Sequence, residues 1–139
     1  VILASIIEKE AKTDDFAKVS AVFHNRLLTN MPLGSCATHQ YFMPVKKITY
    51  NSEELQVESP YNTYINTGLP VGPICNPGKA AIEAALYPDE EYLNGGYLYF
   101  CLGDPNTGET VFAQTYEEHL QNQAKYAPLW EAYEQANAS

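Results

Sequence analysis

The stretch that most constrains the fold is SPYNTYINTGLPVGPICNPG, residues 59–78. It holds four prolines and three glycines in twenty residues. Proline lacks a backbone N–H and glycine loosens a regular backbone, so this density excludes a continuous helix or strand. This stretch is therefore predicted to be a long irregular loop. Loops of this length inside a compact domain are more often functional than not.

Two helices are predicted before this loop. Leu3, Ile6 and Ile7 recur at helical spacing and predict a first helix from Val1 to about Lys12. The segment KTDDFAKVSAVFHNRLLTNMP predicts a second helix. Its expected features are N-terminal caps at Thr13, Asp14 and Asp15, an apolar stripe of Phe16, Val19, Phe23 and Leu27, and an end at Asn30 and Pro32.

The segments that flank the loop carry helical signals of different strength. Residues 33–57 give mixed signals, and we expect only short helical turns there, at Gln40–Met43 and Ser52–Leu55. After the loop, GKAAIEAALY predicts a third helix with Pro77 at its first position, where a missing N–H is tolerated. Pro88 closes this helix.

The last part of the chain predicts a hairpin followed by a helix. Aromatic and β-branched residues in GYLYFCL and ETVFAQT flank the turn GDPNTG, which is typical of two antiparallel strands. Thr115 and Glu118 form a capping box that opens the last helix, and Pro128 is expected to kink or interrupt it. We therefore predict a single α+β domain over residues 1–139, mostly helical, with one small antiparallel β-hairpin.

Composition excludes several classes of partner and cofactor. The chain has 17 acidic residues against 8 lysines and arginines, a formal net charge of -9. Proteins that bind nucleic acids carry basic surfaces, so this charge argues against a nucleic-acid partner and against direct binding to an anionic membrane. The three cysteines are too widely spaced for a disulfide framework. Cys36 and His39 have zinc-like spacing, but no second close pair accompanies them, and we predict no metal.

Two glutamates stand at the end of the first helix, and a helical wheel separates them. At about 100° per residue, Glu10 falls within roughly 20° of the centre of the apolar stripe, whereas Glu8 lies roughly 150° away. Glu8 is therefore expected to be a solvated charge. Glu10 is expected to face the core or a cleft, where desolvation would raise its pKa and suit it to general acid catalysis. The wheel leaves open the alternative that Arg26 holds Glu10 in a buried ion pair.

Several sequence blocks occur together in a fixed order. They are ASIIEKEA, VFHNRLLTNMPLGSCAT, SPYNTYINTGLPVGPICNPGKAAIEAALYP, YLYF and TYEEH. Together they resemble the catalytic domain of the MltG (YceG-like) family of endolytic murein transglycosylases, over nearly the whole chain from Ala4 to about Tyr126. The Y-N-T-Y and G-L-P-x-G-P-I run is the most specific part of this resemblance.

The resemblance implies a lysozyme-like catalytic domain, without a cofactor, that cleaves the β-1,4 bond between N-acetylmuramic acid and N-acetylglucosamine. The products would carry 1,6-anhydro-muramoyl ends. In this family the second glutamate of E-K-E is the catalytic acid, which maps onto Glu10. Because the sugar's own C6 hydroxyl attacks, with an effective molarity on the order of 10⁵ M or more, one carboxyl can act as acid and then as base. The alternative is a non-catalytic peptidoglycan-binding module.

The resemblance also implies which residues line the cleft. The predicted substrate-binding residues are Tyr64, Tyr61, Asn62, Asn25 and Thr38. Tyr64 is the first candidate for a hydrogen bond near Glu10, with the alternative that it only holds its loop. The wheel turns Asn25 away from the apolar stripe of its helix, toward either the cleft or water. His119 is expected to cap or pack near the hairpin rather than to take part in the chemistry.

Two features set this chain apart from the family pattern. In LGSCATHQY, Gly34, Cys36 and Ala37 replace the Gln, Asp and Pro of several relatives, so a catalytic role for that Asp is not expected here. The chain begins inside a helical pattern without Met, and we interpret it as a fragment. The resemblance places an N-terminal membrane helix and a LysM-like subdomain outside it. It implies an extracytoplasmic domain anchored to the plasma membrane, with glycan strands as substrate and cell-wall synthesis proteins as partners.

Overall fold

The computed structural model of the protein describes residues 1–45 and 50–136. These residues form seven α-helices, one 3-10 turn and a two-stranded antiparallel sheet, which confirms the predicted α+β class with a single hairpin. In chain order the elements are α1 (Ile2–Glu10), the 3-10 turn (Thr13–Asp15), α2 (Phe16–Leu28), α3 (Cys36–Phe42), α4 (Ser52–Leu55), α5 (Lys79–Leu86), α6 (Glu90–Asn94), β1 (Tyr99–Leu102), β2 (Thr110–Ala113) and α7 (Tyr116–Ala136).

The hydrophobic core lies where α1, α2 and α5 meet. Helix α1 buries Leu3, Ile6 and Ile7, and α2 buries the predicted stripe that includes Phe23. Both helices repeat apolar residues with a period near 3.6, so each turns one continuous apolar side toward the other. The core also contains Leu33, Ile74, Ala81 and Ala84. This core fixes the end of α1, the position from which the site is built.

The two ends of α2 are not built alike. Thr13–Asp15 forms a 3-10 turn ahead of the helix, and the N-cap residue Asp15 makes no side-chain capping hydrogen bond within the described residues. The predicted side-chain caps are therefore wrong. The helix ends at Leu28, and Asn30 has a φ of 60°, in the left-handed region that asparagine tolerates. The predicted stop at Asn30 is confirmed.

Residues 33–57 contain more helix than predicted. Helix α3 begins at Cys36, several residues ahead of the single turn expected at Gln40–Met43. It spans only two turns, which is too short for an apolar repeat to be recognised in the sequence. Helix α4 lies where a turn was predicted, with Asn51 and Glu54 forming its capping box. Residues 46–49 of this region lie outside the described residues.

The loop of residues 59–78 contains no helix or strand, as predicted. Side chains fix its path instead. Asn62 donates from Nδ2 to the carbonyls of Leu55 and Val57, at 2.9 and 2.7 Å. Near the other end, the Ile74 N–H donates to Ser5 Oγ of α1 at 3.0 Å. These bonds satisfy backbone groups that a regular element would pair internally, so the loop follows a defined course across α1.

Helix α5 begins later than predicted. Its first residue is Lys79 and its N-cap is Gly78, so Pro77 precedes the helix and does not occupy its first position. The Gly78 N–H donates to the Glu8 carboxylate at 2.8 Å, and a negative charge at a helix N-terminus is stabilising. Glu8 is therefore a half-buried contact between α1 and α5, and the prediction of a merely solvated charge is wrong.

The short helix α6 has no counterpart in the sequence prediction. A helix of five residues is too short to show an apolar period. Its capping residue was therefore the one feature of α6 that the sequence could have revealed. Asp89 provides this cap by accepting the Tyr92 N–H at 3.0 Å. The Asp89 N–H in turn donates to the carbonyl of Ala17 at 3.0 Å, which ties α6 to α2.

The predicted antiparallel hairpin is confirmed, with Tyr99 of β1 opposite Ala113 of β2. Helix α7 packs against both strands. The Nε1–H of its buried Trp130 donates to the carbonyls of Leu102 and Gly103, at 3.1 and 3.0 Å. The turn end of the hairpin is therefore held by α7.

Helix α7 is 21 residues long. Thr115 accepts the Glu118 N–H at 3.2 Å, which confirms the predicted cap. Pro128 lies inside the helix, which continues to Ala136, so the predicted interruption is wrong. A proline removes one internal hydrogen bond, and we attribute the continuity to the packing of Trp130 on the hairpin. Among the helices of residues 1–45 and 50–136, none combines the length and the apolar character that crossing a bilayer requires.

We expect Phe23→Ala to lower the free energy of unfolding by about 3–5 kcal/mol, because a fully buried ring is replaced by a cavity. The Phe23 ring packs edge-on against Phe100, with centroids 5.4 Å apart. Leu28→Ala on the same helix should change stability by less than about 0.5 kcal/mol, since Leu28 is 79% exposed. Urea unfolding followed by circular dichroism measures both. Similar losses in the two variants would contradict the orientation of α2.

Candidate active site

A cavity of about 630 Å³ opens between the end of α1, the residues after α2, and the surface formed by the hairpin and α7. This volume lies in the range of sites that bind small ligands. Its wall brings together residues from distant parts of the chain. They include Glu10, Arg26, Cys36, Tyr64, His119 and Trp130. Glu10 of α1 and Tyr64 of the Y-N-T-Y loop therefore line the same cavity.

Glu10, the last residue of α1, lines this cavity. Its Oε2 accepts a hydrogen bond of 2.7 Å from Ser35 Oγ. Burial raises the pKa of Glu10 from 4.5 to about 7, while the Ser35 hydrogen bond and the charge of Arg26 act in the opposite direction. Burial prevails because a charged carboxylate loses more solvation than one neutral hydrogen bond returns. Near neutral pH, Glu10 therefore exists in both its protonated and ionised forms.

Ser35 is the residue that sequence reasoning missed. It is fully buried, and its N–H donates to Thr63 Oγ1 of the Y-N-T-Y loop at 2.8 Å. Thr38 is also fully buried; its Oγ1 donates to the Ser35 carbonyl at 2.7 Å and lies 2.9 Å from Thr63 Oγ1. Ser35 lies in LGSCAT, within one of the sequence blocks that carry the family resemblance. Its hydroxyl is the feature of the sequence from which this role could have been inferred. The structure places Thr38 behind the cavity wall, as a support for Ser35.

Tyr64 lines the cavity beside Glu10. Its hydroxyl lies 3.1 Å from Cys36 Sγ, and its ring meets His39 edge-on with centroids 5.0 Å apart. Burial raises the pKa of the Tyr64 phenol, so the group remains a neutral hydrogen-bond donor and acceptor at physiological pH. Tyr64 is thus available to a molecule in the cavity, and it also holds its loop against α3.

The other two candidates from this loop lie away from the cavity wall. Asn62 is fully buried; besides its bonds to the carbonyls of Leu55 and Val57, its Oδ1 accepts the Tyr64 N–H at 2.8 Å. It therefore positions Tyr64. Tyr61 is half-buried, and its ring packs against Tyr41 with centroids 4.8 Å apart. The structure brings neither side chain to Glu10.

Asn25 and Arg26 brace the surrounding elements. Asn25 is 8% exposed and donates from Nδ2 to the carbonyls of Tyr92 and Tyr97, at 3.3 and 3.0 Å. The helical wheel correctly predicted that Asn25 points away from the apolar stripe. Helix α6 covers that side of α2, so Asn25 faces neither the cleft nor water. Arg26 donates from Nε to the Leu98 carbonyl at 2.6 Å.

The hydrogen bonds of the Arg26 guanidinium exclude the alternative that Arg26 holds Glu10 in a buried ion pair. Its Nη1 donates to the carbonyls of Pro32 and Leu33, at 3.0 and 2.9 Å, so the described hydrogen bonds of Arg26 go to backbone oxygens. Arg26 acts on Glu10 through its charge, which lowers the pKa of Glu10 without overcoming burial. The carboxyl is left facing the cavity.

His119 lies on the cavity wall and stacks on Tyr99, with ring centroids 5.1 Å apart and an interplanar angle of 24°. This agrees with the expectation that it packs near the hairpin. Burial, and then the nearby charge of Arg26, lower the pKa of His119, so the imidazole is neutral at physiological pH. Within the described residues its Nδ1 has no hydrogen-bond partner.

The residues that depart from the family pattern are accommodated locally. Gly34 has a φ of 58°, and a Cβ there would lie 3.0 Å from Arg26 Nη1, so this backbone path suits glycine. Burial raises the pKa of the Cys36 thiol to about 11, which keeps it neutral beside Glu10. His39 Nε2 lies 3.0 Å from the Glu54 carbonyl oxygen, and Cys36 Sγ contacts Tyr64. Among residues 1–45 and 50–136, no three or more His, Cys, Asp and Glu side chains are grouped so that they could hold a metal ion.

The described wall of the cavity carries more cationic than acidic side chains. Of the 17 acidic residues in the chain, Glu10 alone is found among the described residues that line it. The cationic residues of the wall are Lys9 and Arg26. A single carboxyl with a pKa near neutrality can donate a proton to a bound group and then accept one. A mechanism that requires two facing carboxylates has no second carboxylate on the described wall.

Comparison with known proteins gives a consistent family. Residues 1–125 match the model of the YceG-like family. Over 125 residues the chain is 43% identical to the endolytic murein transglycosylase of Bacillus subtilis, covering 89% of this chain and 33% of that protein. It is 34% identical over 132 residues to the endolytic murein transglycosylase of Streptococcus pneumoniae, covering 89% and 23%. The chain thus spans a third or less of the length of these curated relatives.

A solved structure agrees with this comparison. The crystal structure of a YceG-like protein from Listeria monocytogenes superposes with a TM-score of 0.74 at 44% sequence identity. The match covers 86% of this chain and 38% of that one. The arrangement of helices and hairpin described above is therefore shared with a relative.

We expect Ser35→Ala to raise the pKa of Glu10 above 7 by about one pH unit, because a hydrogen bond to a charged group contributes roughly 1.5 kcal/mol. An NMR titration of the Glu10 carboxyl carbon measures this. Ser20→Ala is the matched control, since Ser20 is equally buried and its hydroxyl has no hydrogen-bond partner among the described residues. A pKa that stays the same in Ser35→Ala would contradict the assigned hydrogen bond.

Proposed function

The chain belongs to the YceG-like family, and we propose that it forms the catalytic domain of an endolytic murein transglycosylase. Its substrate would be the glycan strands of peptidoglycan. The bond cleaved would be the β-1,4 linkage between N-acetylmuramic acid and N-acetylglucosamine, leaving a 1,6-anhydro-muramoyl end. The names of the relatives support the general activity. The linkage, the product and the roles of individual residues are our proposal.

The observation that carries the proposal is the environment of Glu10. A glycosidic oxygen is a poor leaving group unless it is protonated as the bond breaks, so the enzyme needs an acid at working pH. Glu10 meets this requirement because burial raises its pKa to about 7. Its Oε2 is engaged by Ser35. The proton is therefore assigned to Oε1, the oxygen left for a ligand in the cavity.

The first step would be donation of this proton to the glycosidic oxygen. The bond between C1 of the muramoyl ring and that oxygen breaks, and the electron pair leaves with the oxygen. C1 becomes positively charged and resembles an oxocarbenium ion. Glu10 is now a carboxylate, and the Ser35 hydroxyl and the charge of Arg26 both stabilise it.

The second step would close the anhydro ring. The C6 hydroxyl of the same sugar attacks C1, and Glu10 removes its proton, which restores the acid form for another turnover. Because the nucleophile belongs to the substrate, no second protein carboxylate is needed to provide it. This agrees with the single acidic residue on the described wall of the cavity. Ordinary glycosidases use two carboxyl groups, one of them to attack C1 or to activate water.

Neutral donors would assist at the same place. Tyr64 stands beside Glu10 on the wall, and its phenol stays protonated. We propose that Tyr64 hydrogen-bonds the sugar at the scissile bond. Asn62 would act through Tyr64, and Thr38 through Ser35, since both are buried behind the wall.

The cellular setting follows from the substrate and is proposed with it. Peptidoglycan lies outside the plasma membrane, so the domain would work on the extracytoplasmic side. Attachment to the membrane would come from sequence outside these 139 residues, as would contacts with cell-wall synthesis proteins. The acidic domain itself is not expected to bind an anionic bilayer, because like charges repel.

We expect Glu10→Gln to lower turnover by about 10²- to 10⁴-fold, because the variant loses the general acid. Purified glycan strands are incubated with the natural full-length protein, and the products are analysed by mass spectrometry. Glu8→Gln is the matched control. The Glu8 side chain accepts the Gly78 N–H outside the cavity, so this variant should keep its activity within a few-fold. Circular dichroism and strand binding confirm that both variants fold.

The products distinguish the proposal from its alternatives. Anhydro-muramoyl ends lack one water relative to reducing ends, so reducing ends would identify a hydrolase instead. Strand binding without any cleavage by the wild-type protein would identify a non-catalytic peptidoglycan-binding module. Either result would overturn the transglycosylase assignment.

Activity should fall on the alkaline side of neutrality. The free enzyme must begin with protonated Glu10, whose pKa is raised to about 7, so kcat/KM should be level below that value and fall about tenfold per pH unit above it. Ser35→Ala should move the fall to higher pH, because it removes an interaction that favours the ionised form. A profile that remains flat from pH 6 to pH 9 would rule out Glu10 as the acid.

A further inference from the structure

A second cavity adjoins the one that holds Glu10. Its volume is about 270 Å³. Lys9, Ala37, Gln40, Tyr41 and Ile74 line it. Lys9 and Gln40 line both cavities, so these two side chains form the wall that the cavities share. Because residue 9 precedes Glu10 in the same helix, the second cavity borders the part of α1 that carries Glu10.

We propose that this second cavity is a subsite for the stem peptide of the muramoyl residue being cleaved, and that the Lys9 ammonium binds one of the peptide's carboxylates. The inference rests on the proposed function and specifies what the enzyme recognises besides sugar. The stem peptide leaves the sugar through the lactyl ether on C3, two bonds from the reacting C1. A muramoyl ring held with C1 at Glu10 therefore starts its peptide close to the catalytic cavity, and the second cavity is the adjoining space that would receive it.

The chemistry of the lining fits a peptide of this kind. Stem peptides carry methyl side chains and free carboxylates. Ala37 and Ile74, both less than 9% exposed, give the subsite an apolar floor for the methyl groups. Tyr41, 48% exposed and packed against Tyr61, forms one side. Gln40 adds a polar side chain to the lining.

Charge gives the strongest reason to assign a carboxylate. The chain carries a net charge of -9, which would repel an anionic peptide at most of its surface. Lys9 is exposed and lines both cavities. Among residues 1–45 and 50–136, Lys79 and Glu83 of α5 form the one ion pair with an N–O distance of 4 Å or less. No described carboxylate therefore pairs with the Lys9 ammonium at that distance.

Binding measurements test the subsite without requiring turnover. Two synthetic glycan strands of equal length are compared, one with stem peptides that have free carboxylates and one with each lactyl group capped as a neutral methylamide. Dissociation constants are measured by calorimetry with the full-length protein carrying Glu10→Gln, which prevents cleavage. Lys9→Met is added to that background. Lys79→Met is the matched control, since it removes the same charge from a side chain 91% exposed and outside both cavities.

We expect Lys9→Met to weaken binding of the peptide-bearing strand by about three- to tenfold and to leave the capped strand unchanged. The difference should shrink at high salt, and Lys9→Arg should restore it, because both effects follow the charge. Lys79→Met should change neither strand. An equal effect of Lys9→Met on both strands, or no effect on either, would overturn the inference.

The outcome is separable from that of the proposed function. If the wild-type protein releases anhydro products but Lys9→Met does not discriminate between the strands, the activity stands and the peptide subsite is wrong. If Lys9→Met discriminates between the strands but the wild-type protein forms no anhydro product, the subsite stands and the catalytic proposal is wrong.

Discussion

The hydrogen bond from Ser35 to Glu10 is the contact on which the site depends. It joins the end of α1 to the residue that precedes α3, and Ser35 is in turn held by Thr63 of the irregular loop. Three segments distant in sequence therefore converge on one carboxyl. Each segment is anchored separately: α1 by the core, the loop by Asn62, and the start of α3 by Thr38. The geometry around Glu10 is thus fixed before any ligand arrives.

The ionisation of Glu10 results from opposing effects, of which burial is the largest. Burial disfavours the carboxylate, whereas the Ser35 hydroxyl and the Arg26 guanidinium favour it. Had Arg26 paired directly with the carboxyl, the pKa would fall well below neutrality and no proton would be available. Backbone carbonyls engage the described donors of Arg26 instead, so its charge acts only at a distance. A balance of this kind suits a group that must give up a proton and recover it within one reaction cycle.

The sequence predicted the features that repeat and missed those that depend on a few contacts. Helices α1 and α2, the hairpin and the irregular loop were all recognisable, because apolar period and proline content are properties of whole segments. The short α6 and the start of α5 were not, since Asp89 and Glu8 fix them through single hydrogen bonds. The wheel selected Glu10 but could not identify Ser35, whose role comes from a contact across 25 residues of sequence.

The same reasoning explains the uneven result for the candidate residues. Tyr64 lies on the cavity wall, whereas Asn62, Thr38 and Asn25 are buried behind the surfaces that they support. A motif shows which residues belong to one functional unit, but it does not distinguish a side chain that faces the ligand from one that holds its neighbour. That distinction depends on which elements cover each side. For Asn25 the covering element was α6, which the sequence did not reveal.

The chain of bonds from Glu10 through Ser35 to Thr63 also has a consequence for the order of the loop. A hydroxyl binds a carboxylate more strongly than it binds a carboxylic acid, and coupling between two equilibria works equally in both directions. Loss of the proton from Glu10 therefore strengthens its hydrogen bond to Ser35, and through Ser35 it tightens the attachment of Thr63 and its loop. Protonation and backbone order are linked here, so the segment is held most firmly at the moment when the proton has left for the substrate.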